Sequence, residues 1–189
     1  MPPRKVFSLR YNGRVKRILL TGFKPFLDNA SNPTETLSLS NGGIVLEVTY
    51  QAVDELLTQD LSAYDLLLCL GLHAKADKPR IERFAYNEKT NKKPDMQGLV
   101  PIDLTIDPKS PARLETELDV NGLVNHLQAK GFDCLLSEDP GRYLCNYIYF
   151  NALKKKDGRV LFIHFPAETK DWTLEKMDAL LKEAIAYLS

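Results

Sequence analysis

Cysteine and histidine are scarce in this 189-residue chain, three of each, beside a single tryptophan. So small and odd a cysteine count excludes a disulfide framework and points to a reducing compartment, the cytoplasm. Neither CxxC nor HExxH occurs and no two histidines lie close together, so no metal site of familiar zinc spacing is offered. The GxxxxGK loop followed by Ser or Thr is missing too, which removes a phosphate cradle. Net charge is absent, with 25 Lys+Arg against 25 Asp+Glu, and that balance argues against a nucleic-acid footprint. No apolar run approaches the about 18 residues of a membrane span. What remains is ordinary globular composition, 44% hydrophobic and 26% charged, in a length suited to one domain.

Neutrality hides one asymmetry. Residues 1–17 carry six Arg/Lys and no acidic residue, leaving 19 basic against 25 acidic residues in the remainder. No apolar stretch of about 7–15 residues follows those charges, so they do not read as a secretory signal. Asn12-Gly13 between Val6–Tyr11 and Val15–Thr21 is a hairpin signal instead. The expected organisation is a basic arm over 1–16 and a single domain over 17–189.

Along that domain, strands are expected at Val15–Thr21, Ile44–Val53, Leu66–Gly71, Arg80–Asn87, Phe132–Leu136 and Arg159–Phe165. LLLCLG at 66–71 is a continuous apolar run closed by Gly, the pattern of a buried central strand. Helices are expected at Asp54–Leu61, after a cap at Asp119 or Asn121, at Cys145–Lys155 and at Thr173–Leu188. Strands alternating with helices predict a three-layer α/β/α fold around a mostly parallel, mixed central sheet. The polar stretch 72–112 reads as a segment draped over the sheet edge or carrying function.

Few residues are left to carry chemistry. Cys69 and Cys134 sit among apolar neighbours and read as buried, inert thiols. Cys145 differs, because it follows PGRY where a loop turns into a helix. A helix N-terminus stabilises an anion and can lower a thiol from about 8.5 into the range ~3.5–7.5. His126, on an amphipathic helix, reads as solvated. His73 and His164 each close an apolar strand at the sheet terminus where α/β proteins place ligands. Glu82 is either an edge-strand charge or a buried carboxylate holding a histidine N–H. A carboxylate–His–Cys set would perform acyl transfer by the logic of the serine hydrolases.

Five segments taken in order carry a resemblance: TGFKPF at 21–26 with Asn32-Pro33, CLGL at 69–72, IERFAYN at 81–87 with PDMQG at 94–98, GRYLCN at 141–146 and FIHFP at 162–166. Together they resemble the pyroglutamyl peptidase I (pyrrolidone-carboxylate peptidase) family of cysteine peptidases, from about residue 17 onward. The resemblance implies catalytic Glu82, Cys145 and His164. It also implies that Phe23 and Phe26 sandwich a lactam ring, with Asn32, Tyr143 and Leu144 completing the pocket. The implied substrates are peptides blocked by an N-terminal pyroglutamyl residue. No cofactor or metal is called for, and a homo-oligomer is suggested.

This chain also departs from the family pattern. Gly71-Leu72-His73-Ala74-Lys75-Ala76 stands where the family usually has Gly-Gln-Ala-Gly-Gly-Arg, so Leu72 replaces a glutamine able to hydrogen-bond the lactam. Lys93 occupies an otherwise apolar pocket position, Lys92 an arginine position, and Leu27 a glycine position. Segments after 33 and 166 are contracted. Beside the pyroglutamyl exopeptidase, two other readings therefore stand: a related cysteine amidohydrolase with an altered pocket, and a non-catalytic binding relative.

Overall fold

Period-two alternation divides the apolar side chains of the long strands between two sheet faces, and helices cover both. The computed structural model describes residues 7–11, 14–26, 29–156 and 158–189. The Asn12-Gly13 turn and Leu27 lie outside them. In chain order the elements are β1 (Phe7–Tyr11), β2 (Arg14–Phe23), α1 (Pro33–Ser40), β3 (Ile44–Leu46), α2 (Tyr50–Leu57), β4 (Leu66–Leu72), β5 (Arg80–Glu82), β6 (Phe84–Tyr86), β7 (Arg113–Glu115), α3 (Val120–Ala129), β8 (Leu135–Ser137), α4 (Leu144–Lys155), β9 (Val160–Phe165) and α5 (Leu174–Leu188).

The main sheet runs β1-β2-β4-β9-β5-β8, with β3 also paired to β2. β2, β4 and β9 run parallel, while β1 pairs antiparallel with β2 and β5 pairs antiparallel with β9. On one face Ile18, Leu20, Leu68, Leu161 and Ile163 pack with Leu123 and Leu127 of α3 and with Met177, Leu181 and Ile185 of α5. On the other, Leu19, Leu67, Cys69 and Phe162 pack with Val53 and Leu56 of α2 and with Ile148 and Tyr149 of α4. This is the expected three-layer α/β/α arrangement in a single domain. Each buried aliphatic side chain contributes about 1.5–3 kcal/mol, so the two faces together hold the sheet in place. No helix among the described residues is long and apolar enough to cross a membrane.

Several local expectations change, and the strand expected at Phe132–Leu136 forms instead at Leu135–Ser137. The strand over Ile44–Val53 stops at Leu46, and the helix expected at Asp54–Leu61 begins earlier, at Tyr50. The cause is Thr49, whose hydroxyl accepts the Ala52 N–H at 3.1 Å and so starts α2. The strand over Arg80–Asn87 breaks at Arg83, where the backbone N–H donates to Ser137 at 2.8 Å. β6 then leaves the main sheet to pair with β7. Finally, β5 is no edge. It lies between β9 and β8, so the segment 72–112 places a strand inside the sheet, and the edge reading of Glu82 is replaced by burial.

Candidate active site

Three elements converge at the end of the sheet where β4 and β9 finish. β9 carries His164 near its carboxyl end, β5 carries Glu82, and the first turn of α4 carries Cys145. Glu82 is fully buried and His164 is 3% exposed, so neither is solvated by bulk water. A buried charge needs a partner, and the two supply one another: His164 Nδ1 lies 2.8 Å from Glu82 Oε1. Burial by itself lowers the His164 pKa. The Cys145 charge and hydrogen bond, joined by those of Glu82, outweigh it and raise the group to about 9. Carboxylate, imidazole and thiol thus form one chain of contacts.

The thiol's position depends on what surrounds it. Gly71 of β4 pairs in register with His164, and a Cβ there would come within 2.9 Å of Cys145 Sγ and 2.7 Å of Phe162 Cζ. The missing side chain is the space in which the thiol sits. Ahead of α4, Gly141 turns the chain at φ +80°, a conformation that favours glycine. Arg142 fastens that loop by bonding Glu88 at 2.8 Å and Asp139 at 2.6 Å while lying over the Tyr86 ring. Tyr143 caps α4 without a side-chain hydrogen bond, so the first-turn N–H groups stay uncommitted to a cap beside Cys145.

A narrow cleft opens beside the thiol, lined by Phe23, Phe26, Asn32, Val48, Leu72, Tyr143, Leu144 and Cys145. Its polar side chains are already engaged. Asn32 Oδ1 accepts from Thr34 N and Oγ1, and its Nδ2 donates to the Lys24 carbonyl at 3.1 Å. The Tyr143 hydroxyl donates to the Pro94 carbonyl at 2.9 Å. The cavity therefore presents an apolar, ring-lined surface. A wider groove between α2 and α4, lined by Asp54 and Lys154 among others, lies away from Cys145.

Of the positions singled out in the sequence, Phe23, Phe26, Asn32, Leu72, Tyr143 and Leu144 line this cavity together. Lys93 does not. It is exposed, with its ammonium 5.9 Å from the Tyr143 ring centroid. Lys92 is exposed as well. His73 sits beside the site, its ring perpendicular to His164 with centroids 5.7 Å apart. His126 is not simply solvated, because its Nε2 meets Glu183 at 2.7 Å, far from Cys145 on α3. Cys69 and Cys134 are buried, and burial first of all raises them to about 12 and about 11. No cluster of metal-ligating side chains occurs among the described residues.

Val48, Asp95 and Asn146 are site residues that the sequence did not single out. Val48 lines the cavity from the turn before α2. Asp95 is buried and accepts from Tyr50 N, Gln97 N and Leu99 N, tying the 94–99 loop to the start of α2. Asn146 is fully buried next to the thiol. Its side chain accepts from Tyr86 N at 2.7 Å and donates to the Tyr86 and Glu88 carbonyls at 2.8 and 2.9 Å. An Asn directly after the Cys, on a helix whose other face is apolar, was the available signal.

Comparison with known proteins agrees with this architecture. The pyroglutamyl peptidase family profile matches residues 16–179. A pyrrolidone-carboxylate peptidase of Halalkalibacterium halodurans is 33% identical over 168 residues, covering 79% of this chain and 83% of that protein. One from Thermococcus litoralis is 31% identical over 189 aligned positions, covering 89% and 84%. Among solved structures, pyrrolidone carboxyl peptidase from Thermococcus litoralis superposes with a TM-score of 0.85 at 26% identity, covering 90% of this chain and 92% of that one. The Pyrococcus furiosus E192D mutant enzyme superposes with a TM-score of 0.82 at 26% identity, covering 90% and 97%.

Proposed function

The chain belongs to the pyroglutamyl peptidase family, and from that premise we propose that it is a cysteine exopeptidase using Cys145, His164 and Glu82 to release N-terminal pyroglutamate from peptides. The observation that carries this reading is the buried contact of Glu82 with His164, whose imidazole also bonds the thiol beside a ring-lined cavity. The cytoplasm is the compartment that suits three free thiols.

The steps follow from the geometry. His164 takes the Cys145 proton, and Glu82, bonded at Nδ1, fixes the ring and stabilises the imidazolium. The thiolate attacks the pyroglutamyl carbonyl carbon, with the lactam ring held in the cavity between Phe23, Phe26 and Tyr143. Negative charge develops on the carbonyl oxygen, within the field of the first-turn N–H groups of α4. The imidazolium then returns its proton to the leaving amine and the C–N bond breaks. Water attacks the resulting thioester with His164 as base, releasing pyroglutamate and restoring the thiol.

Hydrolysis of a pyroglutamyl aminocoumarin amide tests this. The native protein turns it over, and Cys145→Ser lowers kcat/KM by at least about 10³. Absence of turnover by the native protein defeats the reading. The engaged Asn32 and Tyr143 side chains, with Leu72 beside them, favour a second one, an amidohydrolase of the same chemistry for a less polar acyl group. Its mark is Cys145 alkylation at pH 6 without pyroglutamyl release.

A further inference from the structure

Strand order fixes directions across the site. The acyl cavity is lined from the ends of β2 and β4, by Phe23 and Leu72, and contains no residue of β9 or β5. The thiol lies over Gly71 of β4, and the next strand, β9, carries His164. Because His164 must protonate the departing amine, the leaving residue lies on the β9 side, away from the cavity. The strand after that is β5. There Arg80 stands directly opposite His164 in an antiparallel register, on the same sheet face. One strand spacing is about 4.8 Å, so a guanidinium on β5 lies within reach of the first residue beyond the scissile bond.

Arg80 is also without a partner. Lys78 is paired with Asp133 at 2.8 Å and Arg83 with Glu115 at 2.7 Å, whereas no ion pair forms at Arg80 among the described residues. Its Nε is buried with no hydrogen bond. Glu82, the acidic group on the same strand face, has its Oε1 committed to His164, while its Oε2 is buried and makes no hydrogen bond to Arg80 or to any other group among the described residues. The half-buried His73 ring, perpendicular to His164 with centroids 5.7 Å apart, carries a second orphan, Nδ1, and feels the Arg80 charge. His73 is held there by its backbone N–H, which donates to the Phe165 carbonyl at 2.8 Å. An unpaired guanidinium nitrogen and an unpaired imidazole nitrogen thus lie next to the group that protonates the leaving amine.

We propose that Arg80, with His73 beside it, forms a subsite for a carboxylate on the leaving residue, so that the enzyme favours pyroglutamyl substrates whose departing amino acid is anionic. This rests on the pyroglutamyl peptidase reading above. The carboxylate has two sources, the free α-carboxylate of a dipeptide or an acidic side chain next to the scissile bond. An Arg–carboxylate contact is a charge-assisted hydrogen bond that neutral leaving groups do not make.

Kinetics on three substrates test it: pyroglutamyl-alanine, pyroglutamyl-alanine amide and pyroglutamyl-aspartate α-amide. The native protein is expected to hydrolyse one or both anionic substrates with kcat/KM about tenfold above the neutral amide. The first comparison reports the α-carboxylate and the second the side chain. The anionic-to-neutral ratio falls toward one in Arg80→Met and as salt is raised, and it is retained in Arg80→Lys. The salt series on native protein decides the matter even if Arg80→Met fails to fold. Equal rates for all three substrates, or a ratio that survives Arg80→Met or high salt, overturn the subsite while leaving the peptidase reading intact. Hydrolysis of none of them by a native protein that also fails with the aminocoumarin amide overturns that reading first, and the subsite with it.

Discussion

A thiol that attacks a carbonyl has to be placed to within a fraction of an ångström, and at Cys145 the neighbour doing the placing is a residue with no side chain. Gly71 stands under Sγ, which a Cβ there would approach to 2.9 Å, and the Phe162 ring would be closer still at 2.7 Å. Gly71→Ala must therefore displace the thiol, the ring or β4. A misplacement of about 1 Å at the reacting atom costs on the order of 10²-fold, while overpacking of this size costs ~1–3 kcal/mol of stability. The expected result is a folded enzyme with kcat/KM on the pyroglutamyl aminocoumarin amide reduced about 10²-fold; unchanged kinetics would show that the strand yields instead. The other two thiols behave differently at the same scale. Cys69 is fully buried, Cys134 is 2% exposed, and burial holds both protonated at neutral pH. Iodoacetamide at pH 7 should therefore label Cys145 alone in the native protein, and all three cysteines after unfolding, as read by peptide mass spectrometry.

Among the elements, α4 both presents the thiol and locks the strand after Glu82. Asn146 bonds the backbone of Tyr86 on both its N–H and C=O and reaches the Glu88 carbonyl. The Tyr149 hydroxyl donates to the Glu82 carbonyl at 2.9 Å one turn further on. Asn146→Ala leaves buried backbone groups unpaired, a penalty of ~1–3 kcal/mol for each group left without water. A loss of at least about 2 kcal/mol in urea unfolding is expected, and a loss below 0.5 kcal/mol would mean that water replaces the side chain. These roles explain what could and could not be read beforehand. The apolar runs of β2, β4 and β9, the single-faced pattern of α5 and the loop-to-helix switch before Cys145 are local signals, and each is present in the sequence. The distant partners of Asn146, Asp95 and Glu82 (Tyr86, Tyr50 and His164) lie 45 to 82 residues away. Whether Glu82 is an edge charge or a buried ligand depends on strand order, which local pattern does not contain. Ile44, Leu46, Val48 and Tyr50 alternate as a strand would, and the Thr49 cap overrides that alternation.

For the molecule as a whole, the two helical layers and the sheet between them remove water from Glu82 and His164, and the protonation of His164 is thereby coupled to folding. The native His164 holds its proton to about pH 9, against 6.5 for an ordinary histidine. Between those values the folded state binds more protons than the unfolded one. Stability from this group is therefore complete below about pH 6.5 and is lost as pH rises through about 9. Urea midpoints measured from pH 6 to pH 10 should fall across that window, and the fall should be smaller in His164→Gln. Catalysis shares the same proton, since the imidazolium must protonate the leaving amine. The kcat/KM of the native enzyme should thus persist into alkaline solution and decline through about pH 9. Glu82→Gln removes the carboxylate charge from the ring. It should lower kcat/KM by about 10³–10⁴ and move the alkaline limb toward lower pH. An alkaline limb that stays in place in Glu82→Gln would assign the raised His164 pKa to the thiolate alone and leave Glu82 as a purely orienting group.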